Sequence, residues 1–548
     1  MKRALIAVLT ISLVFTVGFV SDSSDNYFEI SKNLDIFGKL YREINSNYVD
    51  DPDPNELIRS GIDAMLGTLD PYTNFISEEE ASDYKFLTTG TYAGIGALIG
   101  KRGSRLLIME AYENYPAEKS GLKPGDVLLS VEGTAIDGES MTVSDVRDLL
   151  RGEQGTNAAI VVKRGEEQLE FAVPRGSIRV DNVPYVGMAT DSIGYIALTG
   201  FTQNAGKEVA QALRELRQQN PLSGIILDLR GNPGGRLDEA VNVSNVFIER
   251  EQLIVETRGR IPASKRKHFA RKSAVDPGIP LVVLIDHKSA SASEIVAGAI
   301  QDTDRGIILG HRSFGKGLVQ NIRPLSYNTQ LKVTIAKYYT PSGRCIQAIN
   351  YTDKSPDGSV SRIPDSLRST FETSAGRIVY DGGGIEPDII MEADQEITLI
   401  QELINQGVIF DFVTAYTTET PSISSPTDFQ VSTELYDQFV SFVSTQAFSY
   451  ETSSERKLKE FEEILMQEEY GAALEDKVAQ LKSQILRHKD MDLRLHQEEI
   501  RPLIKEEILK RYYYERGALE GAMNDDPDIL RAVSILQDAE QYQEILLP

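Results

Sequence analysis

The chain has 548 residues, with 82 acidic against 57 basic side chains and a formal net charge of −25 at pH 7. This length accommodates about three to five domains of ordinary size. So acidic a chain repels a phosphate backbone, and it has no long run of lysine and arginine, so we exclude nucleic acid as a partner. The single cysteine, Cys345, supports neither an internal disulfide nor a cysteine-based metal site. We expect no metal and no cofactor, so any catalysis depends on oxygen and nitrogen groups.

The first twenty residues have the pattern of an export signal. A basic head, Met1-Lys2-Arg3, precedes the largely apolar residues 4–20, and a polar stretch begins at Ser21. No clear cleavage site precedes Ser21, and the apolar run is just long enough to cross a bilayer, so a removed signal peptide and a retained anchor both remain open. A buried N-terminal helix fits the basic head less well. Either export route makes the rest of the chain periplasmic in a Gram-negative cell, soluble or anchored to the inner membrane.

Residues 27–88 are predicted to form an N-terminal helical region. Apolar side chains recur near helical spacing from Phe28 to Ile44 and again from Pro54 to Leu66. The helical pattern stops at Asp70-Pro71, and from there short apolar runs alternate with glycine turns.

Residues 89–175 predict a small β-rich domain that resembles PDZ domains. The resemblance lies in Gly121-Leu122-Lys123-Pro124-Gly125-Asp126-Val127-Leu128 and in the turn Gly94-Ile95-Gly96-Ala97. Such a turn directs successive amides into one concavity that suits a chain-terminal carboxylate, and the strand edge after it can pair with an extended peptide. We expect the four turn residues to bind a peptide tail; a module that serves only as a spacer is the alternative. Strands are predicted at Ala97–Ile99, Leu106–Met109, Val127–Val131, Ala159–Val162 and Leu169–Val173, and short helices near Pro116–Ser120 and Val143–Leu150.

Residues 176–395 alternate strands and helices, which predicts an α/β domain. A β-rich arm over Lys332–Tyr339 follows Gln320. From residue 396 to 548 helices dominate, with apolar side chains on one face and mixed charge on the other. No motif in this C-terminal helical domain indicates a catalytic or binding function. The predicted α/β elements are strands Ile193–Phe201, Gly224–Leu229, Leu253–Thr257, Leu281–Ile285 and Gly306–Gly310 and helices Ala205–Gln218, Leu237–Phe247 and Ser291–Gln301.

Three serines follow one of these strands directly. Ser289, Ser291 and Ser293 lie where an apolar strand passes through a turn into an amphipathic helix. A hydroxyl at a helix N-terminus lies beside unpaired amides that favour negative charge on a neighbouring oxygen. Helix capping is the alternative, because serine is a preferred N-cap residue.

A second unusual stretch runs from Gly310 to Gln320 and contains the spacing Gly-x4-Gly-Lys. A phosphate-binding loop needs Ser or Thr after the lysine and then a helix, but Gly317 follows Lys316 and the next residues are extended, so we exclude nucleotide binding. A lysine between two glycines can point into a cleft, where desolvation would let it act as a base. A solvated surface lysine is the alternative.

Together these stretches resemble the C-terminal processing peptidases, also called tail-specific proteases, over about residues 30–395. The resemblance implies an α/β multi-domain chain in which a PDZ module (89–175) precedes a crotonase/Clp-protease-like ββα core (176–395) with a β-rich arm. Helical regions (27–88 and 396–548) flank both. The matching motifs are Ser289–Ala299, Phe314–Gln320, Asp228–Gly235 and Gly382–Asp388.

The resemblance also assigns catalytic roles. It makes Ser291 the nucleophile and Lys316 the general base, and gives Gln320 the role of holding the lysine amine by a hydrogen bond. The serine would then attack a peptide carbonyl, and water would resolve the acyl-enzyme. The implied oxyanion hole consists of the backbone amides of Ala292 and of one of Gly234 or Gly235.

Three other hypotheses compete with a Ser-Lys peptidase. A Ser-His-Asp arrangement would need His287 or His311, the histidines that flank the site. The chain could also be a non-catalytic PDZ scaffold of the envelope. An acyl-CoA enzyme with the crotonase fold would need neither a PDZ domain nor an export signal.

The leading hypothesis is an exported serine endopeptidase that binds the free C-terminus of a protein substrate through its PDZ domain. In this family the PDZ domain can gate the active site, and the segment Tyr84–Thr91 is the expected hinge. Residues 27–70 are expected to support a homodimer, and residues 4–20 a membrane association.

Overall fold

The computed structural model describes residues 21–547 apart from residues 79, 82–83, 85–88, 220, 355–359, 393–396, 469–470 and 490. The export segment and part of the expected hinge lie outside the described residues. The chain divides into two compact units, one comprising the residues up to Glu78 with Gln320–Thr334, the other Glu79–Val319 with Ile335–Pro548. No helix among the described residues is long and apolar enough to cross a membrane.

The first unit contains two helices and a short strand, α1 (Ser21–Asn47), α2 (Pro54–Gly67) and β1 (Asn74–Ile76). Asp53 caps α2 because its carboxylate accepts from the amide of Asn55 at 2.7 Å. Strand β1 pairs antiparallel with Gln330–Lys332. The two helices contain the stretches of predicted helical spacing, and β1 follows the predicted end of that pattern at Asp70-Pro71.

The PDZ region of the second unit is a six-stranded sheet with one helix at its edge. The strand order is β3-β4-β5-β7-β8, with β6 beside β5, so β3 is an edge strand. Helix α4 packs against β3, and Ile108, Leu128, Val146 and Ile160 are buried in the core. The elements are β2 (Thr91–Gly94), β3 (Ala97–Arg102), β4 (Arg105–Ala111), α3 (Pro116–Lys119), β5 (Val127–Val131), β6 (Thr134–Ala135), α4 (Val143–Leu150), β7 (Asn157–Arg164), β8 (Glu167–Pro174) and β9 (Gly176–Arg179).

A second six-stranded sheet forms the α/β core. Its order is β10-β11-β12-β15-β16-β23, antiparallel only between β10 and β11. Its central strands are buried on both faces, which explains their continuous apolar runs. The elements from Tyr185 to Ile390, which include strands outside this sheet, are β10 (Tyr185–Met188), β11 (Ile193–Ala197), α5 (Ala205–Gln219), β12 (Gly224–Asp228), α6 (Leu237–Phe247), β13 (Leu253–Arg258), β14 (Arg266–Phe269), β15 (Leu281–Ile285), α7 (Ala292–Asp302), β16 (Ile307–Gly310), β17 (Leu318–Pro324), β18 (Gln330–Tyr339), β19 (Ile349–Lys354), β20 (Val360–Arg362), β21 (Thr370–Glu372), β22 (Ile378–Tyr380) and β23 (Ile389–Ile390).

Helices cover both faces of this sheet. Alternate strand residues such as Val283 pack with helices α5, α6 and α7. Their neighbours, such as Val282, pack instead with the last helices of the chain, α15 (Pro527–Gln537) and α16 (Ala539–Leu546). The alternation of strands and helices confirms the predicted α/β class.

The C-terminal region is helical, as predicted, and has its own core. Leu403, Phe412, Phe439 and Ile504 lie in it. The packing of the final two helices on the α/β sheet was not predicted. The helices before them are α8 (Thr398–Asn405), α9 (Val408–Glu419), α10 (Thr433–Thr445), α11 (Ser453–Gln467), α12 (Gly471–Lys489), α13 (Asp492–Leu495) and α14 (Gln497–Ala522).

Candidate active site

Ser291 lies at the turn between β15 and α7, as the N-cap residue of that helix. Its backbone has φ +54° and ψ −108°, a conformation that costs energy for a residue with a Cβ. Two contacts hold this peptide. The Ser291 amide donates to Oε2 of Glu294 at 2.7 Å, and the hydroxyl of the buried Tyr338 donates to the Ser291 carbonyl at 3.1 Å.

The loop that carries Lys316 is bound to the same carboxylate. The Lys316 amide donates to Oε2 of Glu294 at 2.9 Å, and the Gly315 amide donates to Oε1 at 2.7 Å. The Ser313 hydroxyl also donates to Oε1, at 2.6 Å. Since one carboxylate accepts from both the serine turn and the lysine loop, it brings the backbones of Ser291 and Lys316 together.

Glu294 is therefore a site residue to which the sequence reasoning assigned no role. It is fully buried, and burial raises the pKa of its carboxyl, although the four hydrogen bonds from Ser313, Lys316, Gly315 and Ser291 oppose that shift. The sequence around Ser291 does contain a pattern that indicates this role for Glu294. A glutamate three residues after a serine at the start of a helix is the capping-box spacing, which predicts a bond back to the serine amide.

The glycine turn between β12 and α6 lies directly against Ser291. A Cβ on Gly234 would lie 2.9 Å from the Ser291 Cβ and 2.8 Å from the Ala292 nitrogen, so only glycine fits there. The Gly234 amide donates to Oδ1 of Asn232 at 2.9 Å. Among the described residues, the amides of Gly235 and Ala292 have no hydrogen-bond acceptor, so both are available to a ligand.

Asp286 connects this glycine turn to the serine turn. Its Oδ1 accepts from the Gly231 amide at 3.0 Å and from the Ser289 amide at 2.9 Å. The Ser289 hydroxyl donates in turn to the Leu229 carbonyl at 2.8 Å, and the Ser293 hydroxyl to the Asn232 carbonyl at 2.9 Å. The hydroxyls of Ser289 and Ser293 thus have a structural role, because both bind backbone carbonyls of the glycine turn region.

Gln320 lies on β17, in the first unit. Its Nε2 donates to Oγ1 of Thr334 at 3.2 Å, and the Thr334 hydroxyl donates to Oδ1 of Asp70 at 3.2 Å. The predicted hydrogen bond to the lysine amine stays a prediction.

The histidines near the site have other surroundings. The His311 ring lies with Nε2 3.3 Å from the Glu392 carbonyl. His287 lies exposed in the turn after β15. Among the described residues, no group of three or more His, Cys, Asp or Glu side chains could hold a metal ion.

The predicted tail-binding turn joins β2 to β3. Gly96 has φ +78°, and a Cβ there would lie 2.5 Å from the Cβ of Tyr115. The carbonyl of Ile95 accepts from the Ala117 amide at 2.7 Å, which fixes the loop. Within the described part of the chain, the amides of Ile95 and Gly96 have no hydrogen-bond acceptor. Ala97 begins the edge strand β3.

Family models match three stretches of the chain. They are the PDZ domain over residues 107–164, peptidase family S41 over 192–357, and the C-terminal helical domain of probable PDZ-proteases over 399–536. The class of the protein is therefore a serine-type peptidase with a PDZ domain.

Individual relatives narrow this class. A carboxy-terminal-processing protease of Bartonella bacilliformis is 36% identical over 337 residues, 61% of this chain and 76% of the relative. The carboxy-terminal processing protease CtpB of Bacillus subtilis is 32% identical over 58% of this chain and 66% of that protein. The solved photosystem II D1 C-terminal processing protease is 27% identical, with a TM-score of 0.35, over 66% of this chain and 93% of that one. The chain belongs to the carboxy-terminal-processing protease family, which confirms the resemblance read from the motifs.

Proposed function

We propose that Ser291 is the nucleophile of this peptidase and that Lys316 is its general base. The observation that carries this proposal is the common acceptor, because the amides of Ser291 and Lys316 both donate to Oε2 of Glu294. Since Ser291 precedes α7, any negative charge on its substrate develops beside the free amides at a helix N-terminus. His311, the histidine nearest to Lys316 in sequence, is supported less well as a base because its ring lies against a backbone carbonyl.

The proposed reaction runs through an acyl-enzyme. Lys316 in its amine form takes the proton of Ser291 while the serine oxygen attacks the carbonyl carbon of the scissile peptide. The amides of Ala292 and Gly235 stabilise the resulting oxyanion; Gly234 is the poorer candidate because its amide already donates to Asn232. The leaving amine takes the proton from Lys316, and water then releases the acyl group from Ser291.

We further propose that the PDZ region binds the free C-terminus of the substrate. Within the described part of the chain, the amides of Ile95 and Gly96 have no acceptor and β3 has an open edge; the amides suit a carboxylate, and the edge suits an extended peptide that adds as a further strand. The Bartonella and Bacillus relatives are both named carboxy-terminal processing proteases, which agrees with this role. Export through residues 1–20 and dimerisation through the N-terminal helices are part of the same proposal.

The test of catalysis uses single substitutions and one peptide substrate. We expect Ser291→Ala and Lys316→Ala each to abolish cleavage, whereas His287→Ala and His311→Ala retain it. Labelling of wild type, but not Ser291→Ala, by a serine-directed acylating reagent would exclude a non-catalytic scaffold. Turnover in Lys316→Ala would overturn the proposed mechanism.

The test of tail recognition compares two forms of one substrate protein, with a free and with an amidated C-terminus. We expect slower cleavage of the amidated form, because the Ile95 and Gly96 amides lose the charged acceptor. A short peptide cut at the same bond serves as the control for the catalytic step. Equal rates for both forms of the protein would contradict tail recognition.

A further inference from the structure

Arg230 joins the glycine turn beside Ser291 to the C-terminal end of the chain. Its Nη2 donates to Oδ2 of Asp228 at 2.7 Å, at the end of β12 just before the turn. Its Nη1 donates to Oδ1 of Asp526 and to Oδ2 of Asp528, both at 3.0 Å. The two aspartates lie almost 300 residues further along the chain, at the start of α15.

This cluster is largely buried. The Arg230 side chain is 22% exposed and those of Asp526 and Asp528 are 20% and 11% exposed. Burial lowers the pKa of Arg230, but Asp228, Asp526 and Tyr195 together outweigh that effect and keep the pKa well above its usual value. Tyr195 completes the cluster, because its buried hydroxyl donates to Oδ2 of Asp228 at 2.7 Å. Charges at this depth are costly unless they are paired, so each carboxylate has a defined partner.

The final helices are integral to the α/β core rather than an appendage. Ile529, Ile535 and Leu546 are buried against the sheet face that includes Ile226 and Leu284. The hydroxyl of Tyr542, on α16, accepts from the Leu281 amide at 2.9 Å and donates to the Leu281 carbonyl at 3.2 Å. Leu281 begins β15, the strand that leads to the Ser291 turn.

We propose that Asp526 and Asp528 are positioning residues that fix the oxyanion turn through Arg230. The inference depends on the proposed function, in which the Gly235 amide stabilises the oxyanion. Gly231 and Gly234, two of the residues between Arg230 and that amide, have φ +69° and +98°, and neither has a Cβ that would restrict the backbone of the turn. The ion pairs of Arg230 with Asp526 and Asp528 restrict the backbone of the turn from outside it. The C-terminal segment thereby helps to hold the active site in place.

The test replaces both aspartates by asparagine. Asp526 caps α15 by accepting from the Asp528 amide at 2.9 Å and from the Ile529 amide at 3.1 Å, and asparagine keeps that capability while removing the charge. We expect kcat of the Asp526→Asn/Asp528→Asn protein to fall about tenfold to hundredfold, because small displacements of catalytic groups have effects of that size. KM should stay within about twofold, since the tail-binding turn is elsewhere.

Asp525→Asn is the matched control. Asp525 is the neighbouring residue, and its carboxylate pairs with the buried Lys505 of α14, not with Arg230. It should lose a comparable amount of thermal stability while keeping kcat. If the double variant fails to fold by circular dichroism, Asp528→Asn alone is measured in the same way.

A third protein tests the route through Arg230. Arg230→Gln should reproduce the loss of kcat, and adding Asp528→Asn to it should lower kcat no further. Additive losses, or a double-aspartate variant with the kcat of the Asp525→Asn control, would overturn the inference. Failure of the proposed function is distinct, because the wild type would then not cleave or Ser291→Ala would cleave equally well.

Discussion

The backbone amides of Ser291 and Lys316 donate to the same atom, Oε2 of Glu294, at 2.7 and 2.9 Å. The acceptor belongs to the first turn of α7, where the positive end of the helix dipole favours a carboxylate. The buried carboxylate of Glu294 therefore accepts from the backbone of both loops, and the distance between the loops depends on this one side chain.

Glu294→Gln should impair both stability and activity. A carboxamide has one acceptor oxygen, so donors that now reach Oε1 or Oε2 would face an NH2 group. We expect a loss of about 2–4 kcal/mol in the free energy of unfolding and about tenfold or more in kcat, measured by urea unfolding and peptide cleavage. Glu239→Gln is the control, because Glu239 is also buried in the core but accepts from the Gly206 amide. Equal kcat in the two variants would contradict the role of Glu294.

The Glu294→Gln effect on stability should depend on pH in a defined direction. Burial raises the pKa of Glu294 in the folded protein, so the folded state holds an extra proton between the ordinary glutamate pKa and the raised value. The wild type's free energy of unfolding therefore falls as pH rises through that window, whereas the variant has no group to titrate there. The stability difference should be largest below the ordinary pKa of a glutamate and shrink as the pH rises through the raised pKa of Glu294. A constant difference would contradict the raised pKa.

Gly234→Ala should inactivate the enzyme. The added Cβ would lie 2.6 Å from the Ala290 carbonyl oxygen and 2.9 Å from the Ser291 Cβ, so the serine turn would have to move. We expect kcat/KM to fall about hundredfold or more. Gly376→Ala is matched in backbone, with φ +93° against +98°, but has open space around it. It should lose about 1 kcal/mol of stability and keep its activity; comparable inactivation of both variants would contradict the steric explanation.

The sequence predicted the strands and helices of the α/β core well because their signals are local, whereas the roles of Ser291 and Lys316 stay predictions. The strand Leu281–Ile285 and the helix Leu237–Phe247 agree with the structure residue for residue, since a buried parallel strand is a continuous apolar run and an amphipathic helix has its own period. The contact of Arg230 with Asp528 has no such signal. It joins two residues that are remote in sequence, and each looks like an ordinary surface charge until the chain is folded.

Phe410 should prove important for the attachment of the PDZ region to the C-terminal helices. Two guanidinium groups lie over its ring, with Cζ of Arg102 4.1 Å and Cζ of Arg511 4.0 Å from the ring centroid. Arg102 ends β3, the edge strand proposed to receive the substrate tail, and it also donates to the Gly407 carbonyl. Phe410→Leu removes both cation–π contacts and should cost about 1–2 kcal/mol.

The readout for this Phe410→Leu variant is amide hydrogen exchange in residues 97–102, which should become faster because the strand loses its outer anchor. Phe442→Leu provides the control. Phe442 packs on Phe412 within the C-terminal core and makes no cation–π contact with Arg102, so it should reduce stability without changing exchange in β3. Unchanged exchange in Phe410→Leu would show that the attachment does not depend on the ring.

The N-terminal helix α1 should mediate the proposed homodimer. Tyr27, Ile30, Leu34 and Phe37 repeat at intervals of three and four residues and are 46–75% exposed, which is the spacing of a coiled-coil seam. Leu34→Glu would bury a charge in that seam and should weaken association at least about tenfold, measured by sedimentation equilibrium of the chain from Ser21 onward. Ile36→Glu is the matched control, because Ile36 is 53% exposed on the opposite face. A wild type that stays monomeric, or equal dissociation of both variants, would contradict a dimer through this seam.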